Sequence, residues 1–492
     1  MSDNKFSEMG IGNDIVRALN VLGYKEPTEV QSEVIPHLLA GDDLLVKSQT
    51  GSGKTAAFGI PLAQKIDWDE RAPQALILSP TRELASQIGE DMFNIGRFKR
   101  LKVETLFGHA SFRGQATNLK QRTHVVVATP GRLLDHIDQK TIDLSKIKMV
   151  IIDEADEMLN MGFIDQIEDV LRELPKNFEL SLFSATFPDE IVGLAENYLV
   201  NPTEIEVASP SDVKTRIIQQ YYRVNKDERM AALKDIMIVE NPDTSIIFAN
   251  QRVTVDEIAT MLADLGASVE TLHGGMEQRD RTRVMQEFKQ GYFRYLVATD
   301  VAARGLDIAD IELIVNYDLP EEAEHYTHRI GRTARGDKKG KAISLVNQFD
   351  TPRFEPIDEQ QDHQLIEMKL PRPMLVQDRL ASFKAKQSRQ LKIKKTKAIE
   401  FKSDIMKLHI NAGKKTKMRA GDIVGAITNI DGVAGTDVGV ISIIDVSTFV
   451  EILNGKGAKV LRALQNEPIK GRIRKVSKAN ETQYEKDIKK QN

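Results

Sequence analysis

The 492-residue sequence predicts an α/β protein, with two tandem parallel-sheet domains followed by a small α+β domain. Three observations predict it. Short apolar runs alternate with helix-like segments over most of the chain, the pattern of βα units that feed a parallel sheet. A phosphate-loop pattern, Ser48-Gln-Thr-Gly-Ser-Gly-Lys-Thr55, occurs only in the first half, yet similar βα runs resume after a Pro- and Ser-bearing break near 202–215. Past a lysine-rich stretch, residues 404–476 read β-α-β-β-α-β, and 448–453 alternates apolar and polar as a half-buried strand does.

Composition narrows the class. The chain is 41% hydrophobic and 28% charged, enough for more than one core, since a single core rarely grows past about 250–300 residues. It has no cysteine, which excludes a disulfide framework and thiolate metal sites and is compatible with a reducing, cytoplasmic setting. The opening residues lack the basic and apolar regions of a signal peptide. No apolar stretch approaches the ~20 residues of a membrane helix, so no membrane partner is expected. Net charge is −4, but residues 401–492 carry 17 Lys and Arg against 10 Asp and Glu, leaving −11 for residues 1–400. An acidic body with a basic end points to nucleic acid at that end, or to a solubilising tail.

The chemistry gathers at residues 149–156. Met149 to Ile152 is an apolar run of the kind that forms a strand buried on both faces. Asp153, Glu154 and Asp156 then crowd its carboxyl end, where open α/β sheets bind ligands and where buried acids need a compensating cation. The phosphate loop supplies the context, with an apolar run over 43–47 before it and a helix over 54–66 after it. In that motif Thr50, Gly51, Ser52 and Gly53 cradle phosphates and Lys54 reaches the β/γ-phosphates. Thr55 and Asp153 hold Mg²⁺, partly through water, and Glu154 orients or deprotonates the attacking water. One departure stands: the first glycine of the pattern is Ser48.

Asp153-Glu-Ala-Asp156 with this loop resembles the DEAD-box RNA helicases, whose core is a pair of RecA-like domains. The spacing of Phe6, Tyr24 and Gln31 is similar to that family's Q motif, in which the glutamine amide reads adenine and an aromatic packs on the base. An amide matches adenine's edge and not guanine's, so the cofactors expected are ATP and Mg²⁺. Pro80-Thr-Arg-Glu-Leu-Ala85 and Thr129-Pro-Gly-Arg132 match the family's RNA-backbone motifs, implying RNA contacts for Arg82, Thr129, Gly131 and Arg132. The usual Gly-Gly between them reads Gly108-His109, which leaves that contact open. Ser184-Ala-Thr186 is implied as the coupling element. The second half carries His273-Gly-Gly275, residues 298–307 and His328-Arg-Ile-Gly-Arg-Thr-Ala-Arg335. There the resemblance makes Arg332 and Arg335 arginine fingers on the γ-phosphate and puts Asp307 on the ribose. It sets Thr299 and the Arg304–Gly305 turn near RNA and the γ-phosphate. Alone, a three-arginine turn would read as a surface salt-bridge cluster.

Residues 371–403 begin Pro-Arg-Pro, turn lysine-rich and read as a connector. The final domain resembles an RRM, with strands over 405–411, 439–445, 448–453 and 471–476 and helices over 422–427 and 457–464. Its position near Phe449 lacks the aromatic-rich pattern that stacks bases. A basic loop carries Lys414, Lys415, Lys417 and Arg419. Residues 413–427 and 431–439 resemble the C-terminal domain of the DbpA (YxiN-type) group of these helicases. That resemblance implies RNA-dependent ATP hydrolysis and local unwinding of short duplexes by a monomer. It also implies large-subunit (23S) ribosomal RNA in a pre-ribosomal particle as partner, in 50S subunit assembly, with no DNA. The alternatives are a general RNA chaperone, an ATP-gated RNA clamp and a DNA translocase of the same superfamily. The expected bounds are 1–207 and 208–370 for the two RecA-like domains, 404–478 for the RRM-like domain and 479–492 for a tail.

Overall fold

The structure is a computed structural model that describes residues 4–48, 51–207, 216–300, 311–334, 339–394, 401 and 405–480. By contacts the chain divides into two units. One is Met1–Lys47, Gly53–Ile205 and Lys395–Asn492, and the other is Ser48–Ser52 with Glu206–Lys394.

In the first unit, seven short runs become β1 (Leu44–Lys47), β2 (Ala75–Leu78), β3 (Val103–Leu106), β4 (Val125–Ala128), β5 (Met149–Asp153), β6 (Glu179–Ser184) and β7 (Thr203–Glu206). They form one sheet in the order β3-β4-β2-β5-β6-β1-β7. The pairs β1–β6, β2–β4, β2–β5, β3–β4 and β5–β6 are parallel. Every residue of β2, β4 and β5 is buried, which is why these strands are apolar without alternation.

The second unit repeats the plan with β8 (Ile217–Arg223), β9 (Ser245–Phe248), β10 (Val269–Leu272), β11 (Tyr295–Ala298), β12 (Leu313–Asn316), β13 (Gly340–Val346) and β14 (Ile366–Met368). Their order, β10-β11-β9-β12-β13-β8-β14, matches the first sheet position by position. Alternate residues feed two cores: Ile246, Leu296 and Ile314 pack on one face, and Ile247, Val297 and Val315 on the other. No phosphate loop follows β8.

The last domain has β15 (Met406–Ile410), β16 (Val438–Ile443), β17 (Thr448–Ile452) and β18 (Val476–Lys478) in an antiparallel sheet ordered β16-β17-β15-β18. Helices Ala420–Thr428 and Gly457–Leu464 contribute Ile423, Ile427, Val460 and Leu464 to its core.

Two expectations are corrected, and strand β8 was not foreseen. Residues 371–403 are not simply a connector, because Pro373–Gln387 is a helix. Val376, Leu380 and Phe383 lie at helical spacing and pack into the second domain's core, Phe383 fully buried. Arg294 Nη2 donates to Lys386 O at 3.2 Å and Gln387 Nε2 to Tyr295 Oη at 2.8 Å, so the end of the helix is fastened too. The last strand is Val476–Lys478 and not 471–476; Ile469 and Arg472 form an isolated bridge instead. β8 escapes a pattern search because its buried positions include Gln219, which bonds Gln361 Oε1 and accepts from Tyr326 Oη.

Candidate active site

The strand order decides which turns meet. β5, β6 and β1 are neighbours, so the Asp153–Asp156 turn, the Ser184–Thr186 turn and the phosphate loop leave adjacent strands at their carboxyl ends. β2 and β4 lie on the other side of β5 and carry the Thr81-Arg82 and Thr129–Arg132 turns.

The loop between β1 and the helix Lys54–Lys65 needs its glycines. Gly51 and Gly53 have φ of 86° and 99°, the left-handed region that glycine enters without steric cost. At Gly53 a Cβ would also lie 2.6 Å from Gln31 Nε2. Gln31 is buried, and its two amide ends are placed by protein: Nε2 donates to Gly53 O at 3.2 Å and Oε1 accepts from Thr28 N at 3.0 Å. A primary amide has a second N–H and a second lone pair, so these bonds orient Gln31 without exhausting it. Phe6 is fully buried, whereas Tyr24 is half-buried; Asn4 Nδ2 fixes its turn by donating to Tyr24 O at 2.8 Å.

Lys54 is buried, with Nζ 4.0 Å from Asp153 Oδ1. Burial pushes the Asp153 carboxyl up, and Asp156 adds to this. Lys54 opposes it, as does the Glu154 N–H that donates to Oδ1 at 3.1 Å. The Asp153 carboxylate and the hydroxyl of Thr55, the residue after Lys54 at the helix start, are hard-oxygen donors of the kind Mg²⁺ takes together with phosphate oxygens. No cluster of three or more His, Cys, Asp or Glu able to hold a metal occurs among the described residues. Glu154 is buried and left-handed, with φ and ψ both 54°. That conformation is rare for a residue with a side chain.

Asp156, read from the sequence only as a third acid, has a separate task. Its Oδ2 accepts from Ala185 N, Thr186 N and Thr186 Oγ1 at 3.1, 3.1 and 3.2 Å. Its own N–H donates to Ser184 Oγ at 3.2 Å. The pairing of β5 with β6 that permits this is not legible in either segment alone.

Thr81 caps the helix Arg82–Ile95, its Oγ1 accepting from Leu84 N at 3.2 Å. Arg82 passes close to Gly108, where a Cβ would be 3.8 Å from its guanidinium. Thr129 stands at the N-terminal boundary of the helix Pro130–Asp138 without a side-chain capping bond, and Gly131 is exposed. Arg132 is held inward: Nη1 donates to Gln115 Oε1 at 2.9 Å and Ala110 O at 3.2 Å, and Nε pairs with Asp135 at 3.0 Å.

In the second unit, Thr299 N donates to Leu272 O at 3.1 Å at the end of β11, and Arg332 is buried. Thr50, Asp307, Arg335 and the Arg304–Gly305 turn lie outside the described residues. Arg329 is the organising arginine that pattern reading passed over. It donates to Asp300 Oδ1 at 2.6 Å, Asp318 O at 2.7 Å and Asn316 Oδ1 at 3.0 Å. Its position, three residues after Tyr326 and one before Ile330 on the buried stripe of a helix, is the signal that could have found it.

In the last domain Lys415, Lys417 and Arg419 are exposed and Lys414 is half-buried, while Met418 anchors the loop in the core.

Comparison with known proteins gives the lineage. The family described as "DEAD/DEAH box helicase" matches residues 28–193 and "Helicase conserved C-terminal domain" matches 228–337. The "ATP-dependent RNA helicase DbpA" of Bacillus subtilis (strain 168) is 50% identical over 475 residues, which is 96% of this chain and 99% of the relative. The chain belongs to the DEAD-box RNA helicases. The "DbpA RNA binding domain" family matches residues 407–478 of this helicase. Its Escherichia coli (strain K12) relative of the same name is 38% identical, covering 93% of this chain and 95% of the relative. The S. cerevisiae structure "Dbp5 bound to RNA and ADP BeF3" superposes with a TM-score of 0.68 at 30% identity, over 77% of this chain and 99% of that one. The helicase is accordingly an ATP-dependent enzyme that acts on RNA. No helix among its described residues is long and apolar enough to cross a membrane.

Proposed function

We propose that this helicase hydrolyses ATP with Mg²⁺ when RNA is bound and uses the cycle to open short RNA duplexes, acting as a cytoplasmic monomer on large-subunit (23S) ribosomal RNA in a pre-ribosomal particle that matures to the 50S subunit. The observation that carries the ribosomal part is the RNA-binding domain at 407–478, together with relatedness along 96% of the chain to a helicase of the same architecture.

Within the site, Gln31 selects adenine while bonded to Gly53, and Tyr24 packs on the base. Thr50, Gly51, Ser52 and Gly53 surround the phosphates, and Lys54 carries positive charge to them. Thr55 and Asp153 would hold Mg²⁺, which neutralises phosphate charge when bound. Glu154 takes the proton of the attacking water, and Arg332 and Arg335 stabilise the charge of the transferred phosphoryl group. Asp307 holds the ribose. Ser184 and Thr186, bonded to Asp156, relay the state of the nucleotide to the RNA turns. There Arg82, Thr129, Gly131 and Thr299 meet phosphates, and Arg132, tied to Gln115 and Asp135, shapes the turn. The tether is the loop with Lys414, Lys415, Lys417 and Arg419.

The test compares full-length protein with a form ending after residue 403 over one RNA panel at fixed salt. Both should unwind short duplexes, and only the full chain should rank large-subunit ribosomal RNA first as ATPase activator. Changing Lys414, Lys415, Lys417 and Arg419 together should reproduce part of that loss and flatten the salt dependence. An unchanged ranking on truncation would leave a general basic anchor, and ATPase activity without strand separation would leave an ATP-gated clamp.

A further inference from the structure

The outward face of the C-terminal sheet carries an acid among its basic and aromatic residues. β15 and β17 pair Lys407 with Glu451 and His409 with Phe449, while Leu408, Ile410, Val450 and Ile452 point to the core. Glu451 is nevertheless 4% exposed. A carboxylate so buried is costly unless an opposite charge meets it. The first domain supplies that charge: Arg97 Nη2 donates to Glu451 Oε1 at 2.8 Å.

Four further contacts surround this pair. Arg97 also lies over the ring of Phe401, at 4.8 Å, and Phe401 packs against Phe98 with centroids 5.8 Å apart. Arg100 Nη2 donates to Gly435 O at 2.8 Å, and Arg17 Nη2 to Asn454 Oδ1 at 2.9 Å. All three arginines belong to the first domain and all three acceptors to the last. The complementarity runs one way, as it does at interfaces that fix a register.

We propose that this sheet face is a docking surface for the first domain, keyed by Arg97 and Glu451, and not a platform for RNA bases. A carboxylate inside the face repels a phosphate backbone, whereas the first domain offers arginine. Arg97 and Arg100 follow the helix Arg82–Ile95, whose 14 residues span about 21 Å at 1.5 Å each. Docking therefore holds the last domain at the end of that helix remote from Arg82. The basic loop stays outward, with Lys415, Lys417 and Arg419 exposed. Where Lys414 nears the first domain, the Lys102 ammonium is held below its ordinary value, mainly by burial and then by Arg122 and Lys414. If the loop is the tether proposed above, docking sets a fixed span between tethered RNA and the turn that carries Arg82.

The chain has no cysteine, so Arg17→Cys with Asn454→Cys introduces the sole two thiols. In the full-length protein a short bis-maleimide should join them into an intramolecular product that migrates faster on a denaturing gel. Glu451→Arg should cut the yield about tenfold or more, the scale of breaking a buried charge pair. Arg97→Glu should do the same without altering the last domain, which separates loss of docking from a folding defect there. Combining the two should restore the yield. No cross-link in the parent, equal yields in parent and Glu451→Arg, or failure of the swap to rescue overturns docking. The readout involves neither RNA nor ATP, so it stands or falls apart from the tether assignment.

Discussion

Asp156 and Thr186 are joined twice, through Thr186 N at 3.1 Å and Thr186 Oγ1 at 3.2 Å, both donating to the same carboxylate oxygen. The turn after β5 and the turn after β6 are therefore tied to each other. Thr186→Ala removes one charge-assisted bond and keeps the two backbone donors. We expect ATP binding to persist and duplex unwinding per ATP hydrolysed to fall about tenfold, as one bond to a charged group is worth roughly 1.5–3 kcal/mol. Paired ATPase and strand-separation assays check this; an unchanged ratio removes Thr186 from coupling. Asp156→Ala strands Ala185 N and Thr186 N together, so it should lower folding stability by roughly 1–3 kcal/mol in thermal or denaturant unfolding.

Lys54 and Glu154 should separate binding from chemistry. Lys54→Ala deletes the buried cation beside Asp153 and should raise the Kd for ATP about tenfold or more. Glu154→Gln keeps the shape and loses the base, so turnover should fall about 10²- to 10⁴-fold while ATP and RNA still bind. Equilibrium binding of a fluorescent nucleotide, set against steady-state hydrolysis, reads both. Near-parental hydrolysis in Glu154→Gln would falsify its role.

Arg332→Ala should slow RNA-stimulated hydrolysis about 10³-fold with the Kd for ATP nearly unchanged, the signature of a group that acts on the transition state. Arg332→Lys should rescue little, since an ammonium cannot reproduce the planar guanidinium fork. A large loss of ATP affinity in Arg332→Ala would instead make it a ground-state contact.

Acid should destabilise the first domain through His124. Its Nδ1 accepts from Lys102 N at 2.9 Å, and Nε2 lies 3.1 Å from Trp68 O, an arrangement that suits the neutral ring. Burial, with Arg122 and Lys102 nearby, pushes its pKa from 6.5 down to about 4. The folded state thus binds fewer protons than the unfolded chain between these values, and stability falls as pH drops from 6.5 toward about 4. Glu104, pushed up by burial to about 7, contributes with the opposite sign. The diagnostic is therefore the difference between parent and His124→Asn. The variant should be less stable at neutral pH, and its Tm should fall less across that window. Parallel Tm–pH curves would contradict the assignment.

The sequence by itself determined what depends on neighbours along the chain. Apolar runs such as 75–78 and 149–153 declare buried strands because parallel sheets are covered on both faces, which removes alternation. The glycine spacing of 51–54 declares a phosphate loop because its left-handed turns and helix start are local requirements. Only the tertiary structure decided what depends on pairing between distant segments. The order β5-β6-β1 brings Asp156 to Thr186, and no local pattern encodes which strands lie side by side. Arg329 and Gln219 look like surface residues until Asp300, Asn316 and Gln361 are found around them, since a polar side chain is buried only where partners satisfy it. The helix Pro373–Gln387 mixes polar and apolar residues, and Phe383 is buried only because elements distant in the chain pack around it. Glu451 reads as an ordinary outward residue of a strand, and only the approach of Arg97, 354 residues earlier, makes it buried and paired.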